Sequence, residues 1–492
     1  MPGVLYGKRA ALLLLTSVEL VVFLDVSIVN VALPAIGAGL GLTVVGLAWV
    51  GAAYQVTFGG FQLGAGRATD VLGRRRLFRA GLGVFTLGSL LAGLAPWPWL
   101  LITARALQGV GAAILVPAEL SLLTAMFTEP AAYRRAFGWW SAMGAVGAAG
   151  GVVLGGFIVA WFSWPWIFLI NVPICGAALL LSGRLLPSDP APGDHRGAAG
   201  ETRRRLDLPG IVTGTGALLL LVYVVTVAAE GSLGPVQLLL GLAGILLAVC
   251  FVVAELRSAE PLLPFRLFRN PDVSGSTLAS FIVGAAHVPA FVFLALYFQE
   301  VQDYSALASG LAVLPVALVN LAVSRLLIPP ALAHWGPRVV LTLGMALQAT
   351  GLLLMSRLPV RLDFLTDYLP AALAFAVGLP AVFVGSTMPA VKAVGEHETG
   401  VMSAVVNTAQ RIGAGLGVAV LAALADARTG AAHGTRLETL NSGYRLAFLG
   451  AALAAAAGVV VGLWLIRRGR SQESTGDTPA PKTGPSREAA GT

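Results

Sequence analysis

The sequence predicts an all-α polytopic membrane protein of about fourteen transmembrane helices, two six-helix bundles plus two linking helices. Three observations lead there. Hydrophobic residues make up 57% of the chain and charged ones 11%, with a mean hydropathy of +0.83. Apolar runs of roughly 20 residues, long enough to cross hydrocarbon, recur along the whole length. The remaining charges gather in short loops, so the net +8 and pI near 9.9 report orientation and not a polyanionic partner; no nucleic acid is expected. Cys175 and Cys250 stand alone in apolar segments without metal-ligand spacing, so no disulfide, metal or cofactor is expected.

The first bundle, residues 1–183, is expected to hold spans near 10–34, 45–66, 77–95, 99–123, 137–160 and 164–183. The first of these begins near Ala10 with no small-residue cleavage pattern before it, so it is read as retained. Residues 184–272 carry a polar linker from Arg184 to Asp207 with the run Arg203, Arg204, Arg205, then two extra spans near 209–229 and 236–256, then a connector holding Arg257, Arg266 and Arg269. The second bundle, 273–470, places spans near 273–298, 307–328, 338–356, 367–390, 400–425 and 444–466. The polar, proline-rich stretch 471–492 reads as a disordered tail. This order puts both termini in the cytoplasm. Lys8, Arg9, Arg134, Arg135, Arg467, Arg468 and Arg470 then fall inside, while Arg357, Arg361, Arg428 and Arg436 fall outside, an imperfect bias of the expected sign.

Between the second and third spans lies Gly66 to Arg76, GRATDVLGRRR. Gly66 and Gly73 permit a tight reversal, and Arg67, Arg74, Arg75 and Arg76 resist crossing hydrocarbon. Asp70 among them can bind an arginine or a helix N-terminus in one conformation and lose it in another, which makes the loop a cytoplasmic gate; the plainer reading is a topogenic turn. A weak internal repeat relates the halves: Gly73 to Gly81 spans the same interval as Gly336 to Gly344, Arg338 keeps one base, and Ala333 stands where an acid would match Asp70.

Ionisable groups within spans mark function. Asp25 lies about 9 Å from the outer end of the first span and Arg105 is level with it on the fourth, so the two can pair. Such a pair is either a permanent bridge or one broken when a proton or cation takes the carboxylate. Glu19 and Glu119 are further intramembrane acids; Glu119 reads as a helix-end carboxylate facing a vestibule or as a contact for a cationic substrate. Gly147, Gly151, Gly155 and Gly156 set small residues at four-residue spacing on one face of the fifth span, which permits close helix packing. Asn407, Gln410 and Arg411 interrupt the thirteenth span, Arg411 about 16 Å into it, where it should face protein, water or an anionic ligand. His287, near Pro289, is either a proton carrier or a hydrogen-bonded structural residue. Asn30, Trp49, Tyr54 and Gln55 join Glu19, Glu119, His287, Asn407 and Arg411 as candidates for a substrate cavity.

The loop with Gly66, Asp70, Gly73, Arg74 and Arg75 resembles the signature loop of the major facilitator superfamily, with Val71 where arginine is common. LDVSIVNVALP (Leu24 to Pro34) and RALQGVGAA (Arg105 to Ala113) resemble the first- and fourth-helix motifs of its fourteen-helix drug:proton antiporter branch. The fifth-span glycines resemble the antiporter motif with Val152 in place of proline, and SWPWIFLINVP (Ser163 to Pro173) resembles the entry to the sixth helix with Pro165 in place of arginine. The resemblance implies that Asp25 and Arg105 couple proton movement and that the protein effluxes small amphipathic compounds, as in multidrug resistance, by alternating access.

A secondary transporter in a bacterial plasma membrane, driven by protons and not ATP, is therefore the expected function; the arginine-, alanine- and glycine-rich composition points to a GC-rich genome. Export of a native metabolite on the same fold is the alternative. A membrane-embedded enzyme or sensor fits less well, since no nucleophile with a base, paired metal ligands or phosphate loop is evident. A small-molecule substrate, protons and the lipid bilayer are the expected partners, and a monomer suffices because two bundles enclose a pathway.

Overall fold

The computed structural model describes residues 2–189, 208–229, 234–258, 263, 265–394 and 398–464. Most of the linker from Arg184 to Asp207 and the whole 471–492 tail lie outside them. The described residues form helices α1 (Pro2–Leu40), α2 (Val44–Leu72), α3 (Arg74–Gly93), α4 (Pro98–Met126), α5 (Pro130–Trp161), α6 (Trp166–Leu185), α7 (Leu208–Ala229) and α8 (Pro235–Arg257). After a short 3₁₀ turn at Phe265–Arg269 come α9 (Pro271–Val301), α10 (Ala306–Leu326), α11 (Ile328–Met355), α12 (Phe364–Lys392), α13 (Thr399–Ala431) and α14 (Arg436–Trp464). No strand occurs among the described residues.

Helix is the structure a lipid environment demands, because it satisfies every backbone N–H and C=O within one segment. Eleven of the described helices are long and apolar enough to span a membrane, or twelve when α5, bent by 40° between Ala148 and Gly150, is taken as one span. Two elements of the expected fourteen fall short of that measure. In α3 the first turns carry Arg74, Arg75, Arg76 and Arg79, and in α7 the apolar stretch Pro209–Val225 is short. Helix α8 shows the membrane most directly: only 6% of its most apolar window is buried, and Leu238, Leu239, Leu242, Ile245 and Leu246 are exposed. In water such a surface would drive association; in hydrocarbon it is at rest.

Glycine ridges set the close packing. α5 lies along α1, and a Cβ on Gly155 would sit 2.9 Å from the Ile28 carbonyl; Gly147 and Gly151 meet the same helix. The fourth glycine of the series, Gly156, turns instead to α10, where a Cβ would come 2.6 Å from both Ala306 O and Leu307 Cα. In return, a Cβ on Gly310 of α10 would lie 2.7 Å from Val152 O of α5. α2 packs on α13 in the same way: a Cβ on Gly59 would approach Thr408 O to 3.3 Å. These two seams, with the bond from Gln299 Nε2 to Val31 O at 2.8 Å, join the helices before the linker to those after it. Helix α7 rests on α2 and α13, with Thr215 against Gly60 and Ile211 against Gly64.

The turns opening α3 and dividing α11 match. Gly73 has φ +100° and Gly336 has φ +75°, the left-handed region that favours glycine. Each is followed by a helix whose next glycine permits a tight crossing, Gly81 against Leu115 and Gly344 against Ala381. The repeat read from glycine spacing is thus a repeat of backbone geometry.

Candidate functional site

Asp25 and Arg105 come together in the apolar interior. Pro98 opens α4, and seven residues on, roughly two turns, Arg105 stands level with Asp25 of α1. Arg105 Nη1 donates to Asp25 Oδ2 at 2.5 Å, and both side chains are within 2% of complete burial. A buried ion pair persists only when its remaining donors and acceptors are also met. Here Asp25 Oδ1 accepts from Asn171 Nδ2 at 2.8 Å and from Gln108 Nε2 at 3.1 Å. Arg105 also donates to Gln108 Oε1 at 2.8 Å and, through Nε, to Val50 O at 3.1 Å, and Gln108 reaches Ser89 Oγ at 2.8 Å. The Tyr54 ring lies 4.4 Å from the guanidinium carbon, a cation–π contact in a dry setting.

Arg105 and Tyr54 face a narrow cavity between the two halves, scarcely larger than one water molecule. Asn30 and Gln55 also line it, opposite Val288 and Val292 of α9 and Val418 of α13. Arg411 approaches from α13, donating to Gln55 Oε1 and to Asn407 Oδ1, each at 3.2 Å, with its guanidinium carbon 3.5 Å from the Phe58 ring centre. Of the protein, water or anionic ligand that its depth allowed, it meets protein, and it links one half to the other.

Four of the expected cavity residues lie elsewhere. Trp49 packs on Tyr223 of α7, ring centres 6.3 Å apart, because α7 covers that face of α2. His287 sits among Phe291, Phe375 and Phe383, with centroid distances of 5.1, 6.0 and 5.3 Å, on the side of α9 turned to α12. Glu19 and Glu119 converge deep between α1, α4 and α5, where Trp140 Nε1 donates to Glu119 Oε2 at 2.7 Å.

At the loop between α2 and α3, Asp70 is on the last turn of α2, its side chain outside the described set. The α3 N-terminus has another acid. Asp189, following α6, accepts from the backbone N–H of Arg75 at 2.9 Å and of Arg76 at 3.0 Å, which answers two of the donors a helix start leaves unpaired and the positive end of the helix dipole. Arg75 Nη2 donates to Gly183 O at 2.5 Å, at the other end of a helix. Arg338, after the matching turn in α11, donates to Leu463 O at the end of α14. Arg74 and Gly66 make no comparable bridge among the described contacts.

Sequence reasoning did not single out Gln108, Asn171, Ser89 or Asp189. Gln108 and Asn171 stood inside the quoted motifs, and Gln108, three residues after Arg105, shares its helix face. For Asp189 no local signal exists, since it acts 113 residues from its partner.

The Major Facilitator Superfamily profile matches residues 15–418. A puromycin resistance protein of Streptomyces alboniger is 37% identical over 429 residues, covering 86% of this chain and 84% of its own length. A cephamycin export protein of Amycolatopsis lactamdurans is 38% identical over 445 residues, 90% and 89% of the two chains. Among solved structures, an inward-facing bacterial homologue of the human lysosomal transporter Spinster superposes with a TM-score of 0.65 at 14% identity, over 93% of this chain and 98% of that one. The chain therefore belongs to the Major Facilitator Superfamily, as a multi-pass protein of the bacterial plasma membrane.

Proposed function

We propose that this protein exports small amphipathic compounds in exchange for protons, by alternating access between the helices before and after the linker. One observation carries the reading: the buried Asp25–Arg105 pair borders the cavity where the halves meet, and Arg105 itself lines it. When Asp25 takes a proton, Arg105 loses the charge that offsets its burial. An uncompensated buried charge is strongly unfavourable, so the state that brings water or an anionic group to Arg105 gains weight. Proton and cargo then favour different states, which is what exchange requires. The Gly73 turn, with Arg75 held to the end of α6, is the cytoplasmic gate, and both termini lie on that side.

Relatives named for puromycin resistance and cephamycin export support an antibiotic-like cargo, and equally a metabolite made by the same cell. A transporter and not an enzyme is the reading that this kinship favours. The test is puromycin uptake by inside-out proteoliposomes under an imposed pH gradient, with ethidium as a second probe. Accumulation that survives a protonophore rejects proton coupling, and concentrative uptake by Asp25→Asn equal to wild type moves the proton site elsewhere.

A further inference from the structure

Glu19 of α1 and Glu119 of α4 form a second acidic site, separate from the Asp25 pair. Both are within 2% of complete burial. They meet on one face of α5: Trp140 Nε1 binds Glu119 Oε2, and four residues on, at Gly144, a Cβ would lie 3.3 Å from Glu19 Oε1. The absent side chain leaves room for the Glu19 carboxyl, so both carboxyls lie against the same turn of α5, residues 140 to 144. Their outstanding oxygens, Glu19 Oε2 and Glu119 Oε1, receive no donor from any described group. Two acceptors without a donor in a dry interior are the signature of a missing hydrogen.

The neighbours do not supply a balancing charge by direct contact. Trp140 of α5 donates one N–H to Glu119, and Gly144 offers no side chain. Among the described residues Arg411 of α13 is a cation whose field reaches Glu19, and its own hydrogen bonds go to Gln55 and Asn407. Two adjacent carboxylates in a low dielectric cannot both stay ionised.

We propose that Glu19 and Glu119 hold one proton between them, and that this pair is a second proton-carrying site of the N-terminal half. The proton lies between the two carboxyls and leaves one negative charge on the pair, in the field of Arg411. When a state that admits water takes it as a solvated proton, both carboxylates are left charged and are held by that water. Glu19 precedes Asp25 by six residues, about 9 Å of helix rise, so a proton released at one site has a second carboxyl within reach along α1. The inference deepens the antiport reading and rests on it for its role, while the proton itself is observable without transport.

Infrared difference spectroscopy of the full-length protein in lipid vesicles, in H₂O and D₂O, reads the carbonyl stretch of a protonated carboxyl. At neutral pH the wild type is expected to show this band, downshifted in D₂O. Glu19→Gln/Glu119→Gln should lose it and Asp25→Asn should keep it. Each single glutamine variant should move its frequency, which serves if the double variant does not fold. Absence of the band in wild type, its persistence in the double variant, or no D₂O shift overturns the proposal. Failure of the antiport reading is separate: the band would be present while a protonophore left puromycin uptake unchanged.

Discussion

Arg411 of α13 donates to Gln55 of α2 at 3.2 Å, a hydrogen bond between residues 356 positions apart that joins the two halves of the molecule. The guanidinium carbon also lies 3.5 Å from the Phe58 ring centre, a contact that a lysine ammonium cannot reproduce with the same fork of donors. Arg411→Lys is therefore expected to lower the rate of puromycin transport by about tenfold with normal membrane insertion, and Gln55→Ala to lower it less. Rates in proteoliposomes matched for protein content check this. Equal rates in Arg411→Lys would reduce the contact to packing.

Breaking the Asp25–Arg105 pair from one side strands a charge in a dry site. Asp25→Asn should cost ~3–5 kcal/mol of stability, whereas the double replacement Asp25→Asn/Arg105→Gln should recover part of that loss. Thermal unfolding in detergent measures both. A double variant less stable than the single one would show that the pair is not the main interaction of Arg105.

The α5–α10 seam depends on Gly156, whose added Cβ would meet backbone atoms at 2.6 Å. Backbone cannot step aside as a side-chain tip can. Gly156→Val should abolish transport while protein level in the membrane falls by less than half, since the clash is between halves and not within the α1–α5 pair. Transport rate per unit of membrane protein, with the protein level read by immunoblot, checks this.

Asp189 caps α3 with two charge-assisted bonds. Asp189→Ala should lose ~1–2 kcal/mol, with Asp189→Asn recovering part of it through a neutral cap. Gly73→Ala should cost about as much again by forcing a Cβ at φ +100° and against the Asp189 carboxylate. Slower transport in both would support the gate, and unchanged transport with lowered stability would make the turn structural only.

How far the sequence reached follows from what each residue depends on. Counting residues along a helix gives depth, so the level placement of Asp25 and Arg105 was readable, as was the need of Arg411 for protein, water or an anion; which of the three was not. Rotation about the helix axis is not readable from one amphipathic stripe when lipid and protein faces are both apolar. That is why Trp49 was expected at the cavity and is found against α7, and why His287 is enclosed by phenylalanines. The Glu19–Glu119 meeting requires the rotations of three helices at once. Asp189 lay beyond reach because its partner is a helix terminus and carries no side-chain signature. Glycine spacing fared well, since a missing side chain acts through distance alone.

The seating of α7 on Gly60 and Gly64 of α2 and against α13 gives the molecule a handed exterior. That helix covers the α2–α13 seam from outside, while the α5–α10 seam carries no such added helix among the described residues. The two flanks of the molecule are therefore unlike, so its heading in the membrane plane decides which flank a given patch of lipid meets.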